Sequence, residues 1–208
     1  LRAAARLDRS DATVHDELAR TELLAAELAL EDGGSPAGPL GEAHRHLDRA
    51  LAADPSLASA HLDRAHACLL AALDARRRGA RGASHVAQAR EAVVRARVAA
   101  GRNADILLAE ARVGLEEARS PREPGRSAQE RLKEALASVD AALALDPSRA
   151  QAHAVRASLL LLEARNAATP AARDGLLESA RAAAATARAR NPKLERLWTA
   201  ELVAAGLL

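Results

Sequence analysis

The chain has 208 residues, 57 of them Ala and 33 Leu, with nine Val, one Ile, one Trp and no Phe, Tyr or Met. A sheet core draws on Val, Ile, Thr and aromatics, so this composition weighs heavily against one, while Ala, Leu, Arg and Glu all favour an all-α fold. Thirty basic residues against 28 acidic ones leave a net charge of +2, without the basic stripe and stacking aromatics of a nucleic-acid binder. No stretch approaches the run of about 18 apolar residues that would cross a membrane. Cys68 is the sole cysteine, so no intrachain disulfide forms, and the reducing cytoplasm is the default compartment. Leu-Arg-Ala-Ala-Ala-Arg at the start has neither an initiator Met nor the apolar core of a signal peptide, and the chain reads as part of a longer one.

In chain order, residues 1–10 read as the end of a preceding helix. Helices are then predicted at about 12–31, 41–53, 57–78, 84–100, 104–119, 128–145, 149–167 and 171–190, with a closing helix at 193–206. The links inside pairs are Gly33–Pro39, Arg76–Ala83, Ser120–Arg126 and Asn166–Pro170. They should lie along one edge, since insertions at one point of each repeat map to one face. Helix starts carry local signals: Ser127-x-x-Glu130 is a capping box, and Thr169-Pro170 places Pro in the first helical position.

The helices repeat with a period of 46. Asp54-Pro-Ser-Leu-Ala-Ser-Ala-His61 and Asp146-Pro-Ser-Arg-Ala-Gln-Ala-His153 lie twice that distance apart. Stepping from His15 reaches His61, Leu107 and His153, and one step shorter by a residue reaches Trp198. At helical offsets from these lie Ala19, Ala65, Ala111 and Ala157, then Leu23, Leu69, Leu115 and Leu161, then Ala26, Ala72, Ala118 and Ala164. These columns share one helix face. The second helices carry Ala43, Ala89, Ala135 and Ala180, followed four residues on by Leu47, Val93, Val139 and Ala184, and end at Pro55, Gly101, Pro147 or Pro192.

This pattern resembles a tetratricopeptide repeat array. His15, His61, Leu107, His153 and Trp198 fall at that motif's Trp site, the Ala19 column at its small Gly site, and the Ala43–Leu47 type of pair at its A-x3-F site. Helical pairs of the HEAT kind share the period, but the Asp-Pro breakers favour tetratricopeptide repeats. The chain departs from the motif in its longer period, in Arg64, Glu110 and Arg156 at the Leu site, and in Glu22, Cys68, Gly114 and Leu160 at the Tyr site. The resemblance implies a right-handed α-solenoid forming a single domain, 1–208. Its repeats would be about 11–55, 56–101, 102–147 and 148–192, with a capping helix at 193–206 in which Trp198 covers the last pair. It further implies a non-enzymatic scaffold that binds a protein or peptide on its concave first-helix face. Degenerate, Ala/Arg-rich arrays of this kind also resemble those attached to bacterial serine/threonine kinases, which the closing Asn191–Trp198 segment is similar to. The alternative function is therefore a regulatory or sensor segment of such an enzyme.

Chemistry is sparse. No phosphate-binding, dinucleotide or zinc-protease motif occurs, and no cofactor is expected. Gly33-Gly-Ser-Pro reads as a linker. His44 and His46 lie on different helix faces, and His61, His66 and Cys68 provide only one thiol, so a metal site is not expected. Cys68 reads as a small buried hydrophobe, Glu116 and Glu117 as helix-surface charges, and Arg76, Arg77, Arg78 and Arg81 as a solvated loop edge. No small-molecule substrate and no converging set of polar residues are expected; the oligomeric state stays open. The candidate partner surface is a stripe opposite the buried columns: Glu17, Arg20 and Leu24, then Asp63, His66 and Leu70, then Arg112 and Glu116, then Ser158 and Leu162. Its Leu residues would align by stacking, and the flanking Arg20, His66 and Arg112 suit an acidic amphipathic peptide. Strong curvature would instead bury those Leu residues between repeats.

Overall fold

The computed structural model describes residues 12–119, 127–193 and 196–208, without the side chains of residues 196–198. It is all-helical, and among the described residues nine helices pack in neighbouring pairs. They are α1 (Ala12–Glu31), α2 (Ala37–Ala53), α3 (Ala58–Arg77), α4 (Ala83–Ala100), α5 (Ala104–Arg119), α6 (Ala128–Leu145), α7 (Ala150–Arg165), α8 (Pro170–Arg190) and α9 (Arg196–Ala204). The chain divides into two compact units, Leu1–Arg102 and Asn103–Leu208. In the first, α1 packs on α2 and α3 on α4, and α3 also meets α1 and α2. In the second, α5 packs on α6 and α7 on α8, and α7 also meets α5, α6 and α9.

The predicted helix ends hold to within two residues except in α2 and in α9, which spans Arg196–Ala204 rather than about 193–206. The second helix begins at Ala37 rather than about residue 41, so Ala37-Gly-Pro39 forms its first turn instead of a link. Proline is tolerated there because the first turn has no intrahelical acceptor for its missing N–H. The capping box is present: Ser127 Oγ accepts from Glu130 N, and Glu130 Oε2 accepts from Ser127 N. Thr169 Oγ1 accepts from Ala172 N at 3.3 Å ahead of Pro170.

The two Asp-Pro-Ser segments build the same turn. Asp54 Oδ1 accepts from the Ser56 N–H at 2.9 Å and the Ser56 hydroxyl at 2.7 Å, and Asp146 does the same with Ser148 at 3.1 and 2.6 Å. The next helix then ties back onto the turn. His61 Nε2–H donates to the Pro55 carbonyl and His153 Nε2–H to the Pro147 carbonyl, both at 2.9 Å. A ring that anchors the loop to the following helix gives a physical role to His at these two positions.

Every residue of the Ala, Leu and Ala columns in α1, α3, α5 and α7 is buried, as are Ala43, Ala89, Ala135 and Ala180 with their partners Leu47, Val93, Val139 and Ala184. Small side chains let the helices approach closely. The tightest approach is at Gly114, where an added Cβ would lie 2.7 Å from Ala135 Cβ. In the second unit one apolar cluster joins α5, α6 and α7 through Leu115, Leu132, Val139 and Leu159, and another joins α7, α8 and α9 through Leu160, Leu161, Ala184 and Leu202. Trp198 lies in α9, but its side chain is outside the described residues, as is the Ser120–Arg126 link.

One reading of charged groups is corrected. Glu116 and Glu117 are buried rather than surface charges: α5 packs against both α6 and α7, so the arc it hides exceeds one stripe. Glu116 is neutralised by Arg119, which also pairs with Glu201 of α9. The arginines of the run, Arg76, Arg77, Arg78 and Arg81, are all exposed, and two of them also make local contacts. Arg76 and Arg77 lie in the last turn of α3, where cations suit the helix dipole. Arg77 donates to the Leu30 carbonyl at the end of α1, and Arg78 pairs with Asp74 one turn back.

Candidate functional site

The stripe proposed from sequence is brought together in the first unit, where α1 and α3 lie side by side. Arg20 sits at its centre and spends all its nitrogens on carboxylates. Its Nε donates to Asp63 Oδ2 at 2.8 Å, Nη1 to Glu17 Oε1 at 2.6 Å and Nη2 to Asp16 Oδ2 at 3.4 Å. The Ser59 hydroxyl donates to the same Asp16 oxygen at 2.6 Å. His66 Nε2 lies 2.9 Å from Glu27 Oε1. Burial pushes the Asp63 carboxyl up to about 6; Arg20 opposes this and Asp16 adds to it. Asp16, which the sequence reading left out, is itself buried, and its Oδ1 has no partner among the described residues.

The leucines of the stripe separate. Leu24 is 56% exposed, whereas Leu70 is fully buried and Leu162 packs on the α5–α6–α7 cluster. Ser158 and Glu116 are also buried, and Arg112 is half-buried. The reason is neighbour number. The face of α1 opposite its columns has no described helix over it, whereas α3 meets three described helices and α7 four. No apolar line of three leucines exists. A different pair takes its place: Leu28, one turn after Leu24, is 52% exposed on the same face of α1. Period-of-four spacing could have flagged Leu28; the burial of Leu70 has no local signal.

A second concave feature lies in the first unit and was not anticipated. A cavity of about 310 Å3 opens between α2, α3 and α4, lined by His44 and Asp48, by Arg64 and Cys68, and by Gln88, Glu91, Ala92 and Arg95. Arg64 Nη2 donates to Asp48 Oδ1 at 2.5 Å, and Arg95 pairs with Glu91. Cys68 is buried at its base, with Sγ 4.0 Å from Gln88 Oε1, and burial raises its thiol above the ordinary range. Burial, and then the charge of Arg64, push the His44 imidazole below its ordinary range. His46, two residues away, faces elsewhere and stacks on the buried His15, ring centroids 5.4 Å apart. Among the described residues no group of three or more His, Cys, Asp or Glu is placed to hold a metal ion. None of their helices is long and apolar enough to cross a membrane.

No family model, no curated protein and no solved structure matches this chain.

Proposed function

We propose that the chain is a non-enzymatic interaction scaffold of the tetratricopeptide kind, a right-handed solenoid that docks a protein or peptide on its first-helix face. The regular spacing of α1, α3, α5 and α7, which begin at Ala12, Ala58, Ala104 and Ala150, supports a repeat of 46 residues. The burial of every matched column supports the repeat further.

The observation that carries the function is the exposed face of α1. Leu24 and Leu28 lie in solvent beside a cluster in which one guanidinium serves Asp16, Glu17 and Asp63. Arg20 is committed to these carboxylates, so an acidic ligand would find no spare cation there, contrary to the reading from sequence. A basic amphipathic segment fits better: its Arg or Lys relieves the excess of carboxylates, and its apolar residues cover Leu24 and Leu28.

The test uses fluorescent peptides carrying Arg and Leu at helical spacing, with citrulline-for-Arg copies as the uncharged control. The intact chain should bind the Arg peptides and discriminate against citrulline, with affinity falling as salt rises. Leu24→Ser with Leu28→Ser should leave the melting temperature within a degree or two, since surface changes cost at most about 0.5 kcal/mol, and abolish binding. Equal binding of the citrulline copies, or undiminished binding by the double variant, overturns the assignment of this face.

A further inference from the structure

The cavity of the first unit has a counterpart in the second with the same frame and another filling. The Asp48–Arg64 bridge recurs as Asp140–Arg156, again sixteen residues apart. Where the first unit has His44 and Cys68, the second has Leu136 and Leu160; Leu160 is buried, and Leu136 packs against both apolar clusters. Matching the buried Ala89, Ala92, Val93 and Ala96 of α4 to Ala180, Ala183, Ala184 and Ala187 of α8 sets Gln88, Glu91 and Arg95 against Ser179, Ala182 and Thr186. The hydroxyls of Ser179 and Thr186 donate to carbonyls of their own helix, at Gly175 and Ala182. Two leucines and short side chains therefore suit this helix packing. The first unit keeps five long or polar side chains in their place, and desolvating such groups is unfavourable unless something satisfies them.

These groups lie at two depths. Cys68, the half-buried His44 and Arg64, whose side chain is 27% exposed, form the inner wall. Asp48, Glu91 and Arg95, at 70, 63 and 57%, form the rim. The two bridging arginines also differ. Arg156 donates to Asp140 through Nε, but Arg64 turns Nη2 to Asp48, leaving Nε–H buried and without an acceptor. Arg64 and His44 lie inside, and the carboxylates of Asp48 and Glu91 lie at the mouth beside Arg95. A simple anion entering would face Asp48 and Glu91, and a simple cation would face Arg64 and Arg95.

We propose that this cavity binds a small zwitterion of the α-amino-acid class, its carboxylate received by the Arg64 guanidinium and His44 and its ammonium held at the rim by Asp48 and Glu91. The volume is at the lower end for small-molecule sites and suits so small a ligand. The His44 imidazole carries an N–H able to donate one hydrogen bond. The site is independent of the α1–α3 face, and it would make the scaffold responsive to a metabolite.

The intact chain is titrated by NMR with glycine, L-serine and L-glutamine, and with acetate and methylammonium as the two halves, each to about 10 mM so that a millimolar complex is well populated. At least one zwitterion should give saturable shifts at His44 and Gln88 and bind about tenfold more tightly than either half, the effect of one further charge-assisted hydrogen bond. His44→Leu with Cys68→Leu, which installs the residues of the second unit, should keep or raise the melting temperature and abolish the shifts. Should that variant fail to fold, Asp48→Asn with Glu91→Gln, both exposed, should weaken the zwitterion about tenfold and spare acetate. The proposal is overturned if no zwitterion gives a saturable response, if acetate binds as tightly as the zwitterion, or if either folded variant binds as wild type does.

Discussion

The two units carry the same local devices and use the space between helices differently. Each has an Asp-Pro-Ser turn closed by its own aspartate, a histidine tying that turn to the next helix, and an Asp–Arg bridge between successive helices. In the second unit these devices surround continuous apolar clusters. In the first, one slot is left open and polar, and the outer face of α1 keeps Leu24 and Leu28 in solvent. Turn and bridge chemistry is local and survives changes in packing, because each hydrogen bond needs only a few neighbouring residues. Filling depends on side chains from three helices at once, so it can change in one place without disturbing the frame. That freedom is what allows a repeat protein to acquire a site in one unit only.

The sharpest contrast is between buried and exposed leucines. Leu159→Ala in the second unit should cost about 2–5 kcal/mol, the range for emptying a packed leucine site. Leu24→Ala in the first should stay within about 0.5 kcal/mol, as surface changes do. Urea denaturation of both variants measures the pair. A similar loss in both would mean that Leu24 is covered in solution and that the α1 face is already occupied.

Gly114 tests close packing directly. On helix propensity alone Gly114→Ala should stabilise α5 by about 1 kcal/mol. The 2.7 Å approach of its Cβ to Ala135 should reverse the sign, to a net loss of about 1–3 kcal/mol. Ala135→Gly should restore part of that loss when combined with it. If Gly114→Ala alone raises the melting temperature, the α5–α6 contact is looser than described.

Removal of the capping box by Ser127→Ala should cost about 1 kcal/mol. Glu130→Ala should show a smaller loss and no additivity with it, since the two side chains satisfy each other's backbone. Independent, additive losses would argue against the reciprocal cap.

The smallest effect is one of pH and separates the two kinds of aspartate. The Asp63 carboxyl is raised from 3.8 to about 6, so the folded chain holds a proton that the unfolded chain has already released. Its contribution to stability is therefore most favourable below 3.8 and declines as pH rises through 6. Asp54 and Asp146 run the other way. Hydrogen bonds from Ser56 and Ser148 hold them below 3.8, so their contribution is in place above that value and is lost as pH falls beneath it. Asp63→Asn should flatten the decline in the denaturation midpoint between about pH 4 and 6. An unchanged decline in the variant would place its origin in another group.

Much of the architecture was legible from residue order. The all-helical class, the helix ends to within a few residues, the capping box and the burial of the Ala and Leu columns follow from propensity, period and breakers, all of which act over a few residues. Glu116 and Glu117 were misread for one physical reason. A helical wheel assigns one buried arc per helix, and α5 packs against both α6 and α7. Within the proposed groove, the ion cluster around Arg20 is a tertiary feature. Arg20 and Asp63 are 43 residues apart, and neither their pairing nor the part played by Asp16 has a local signature. The cavity lies further still from view, because His44, Cys68 and Gln88 belong to three helices, and each reads alone as an ordinary helical residue. Sequence determines what each segment does with its own backbone and which side it hides from water. Which charges meet, and where space is left between helices, is decided only when three helices pack, because those energies belong to the juxtaposition and to no single segment.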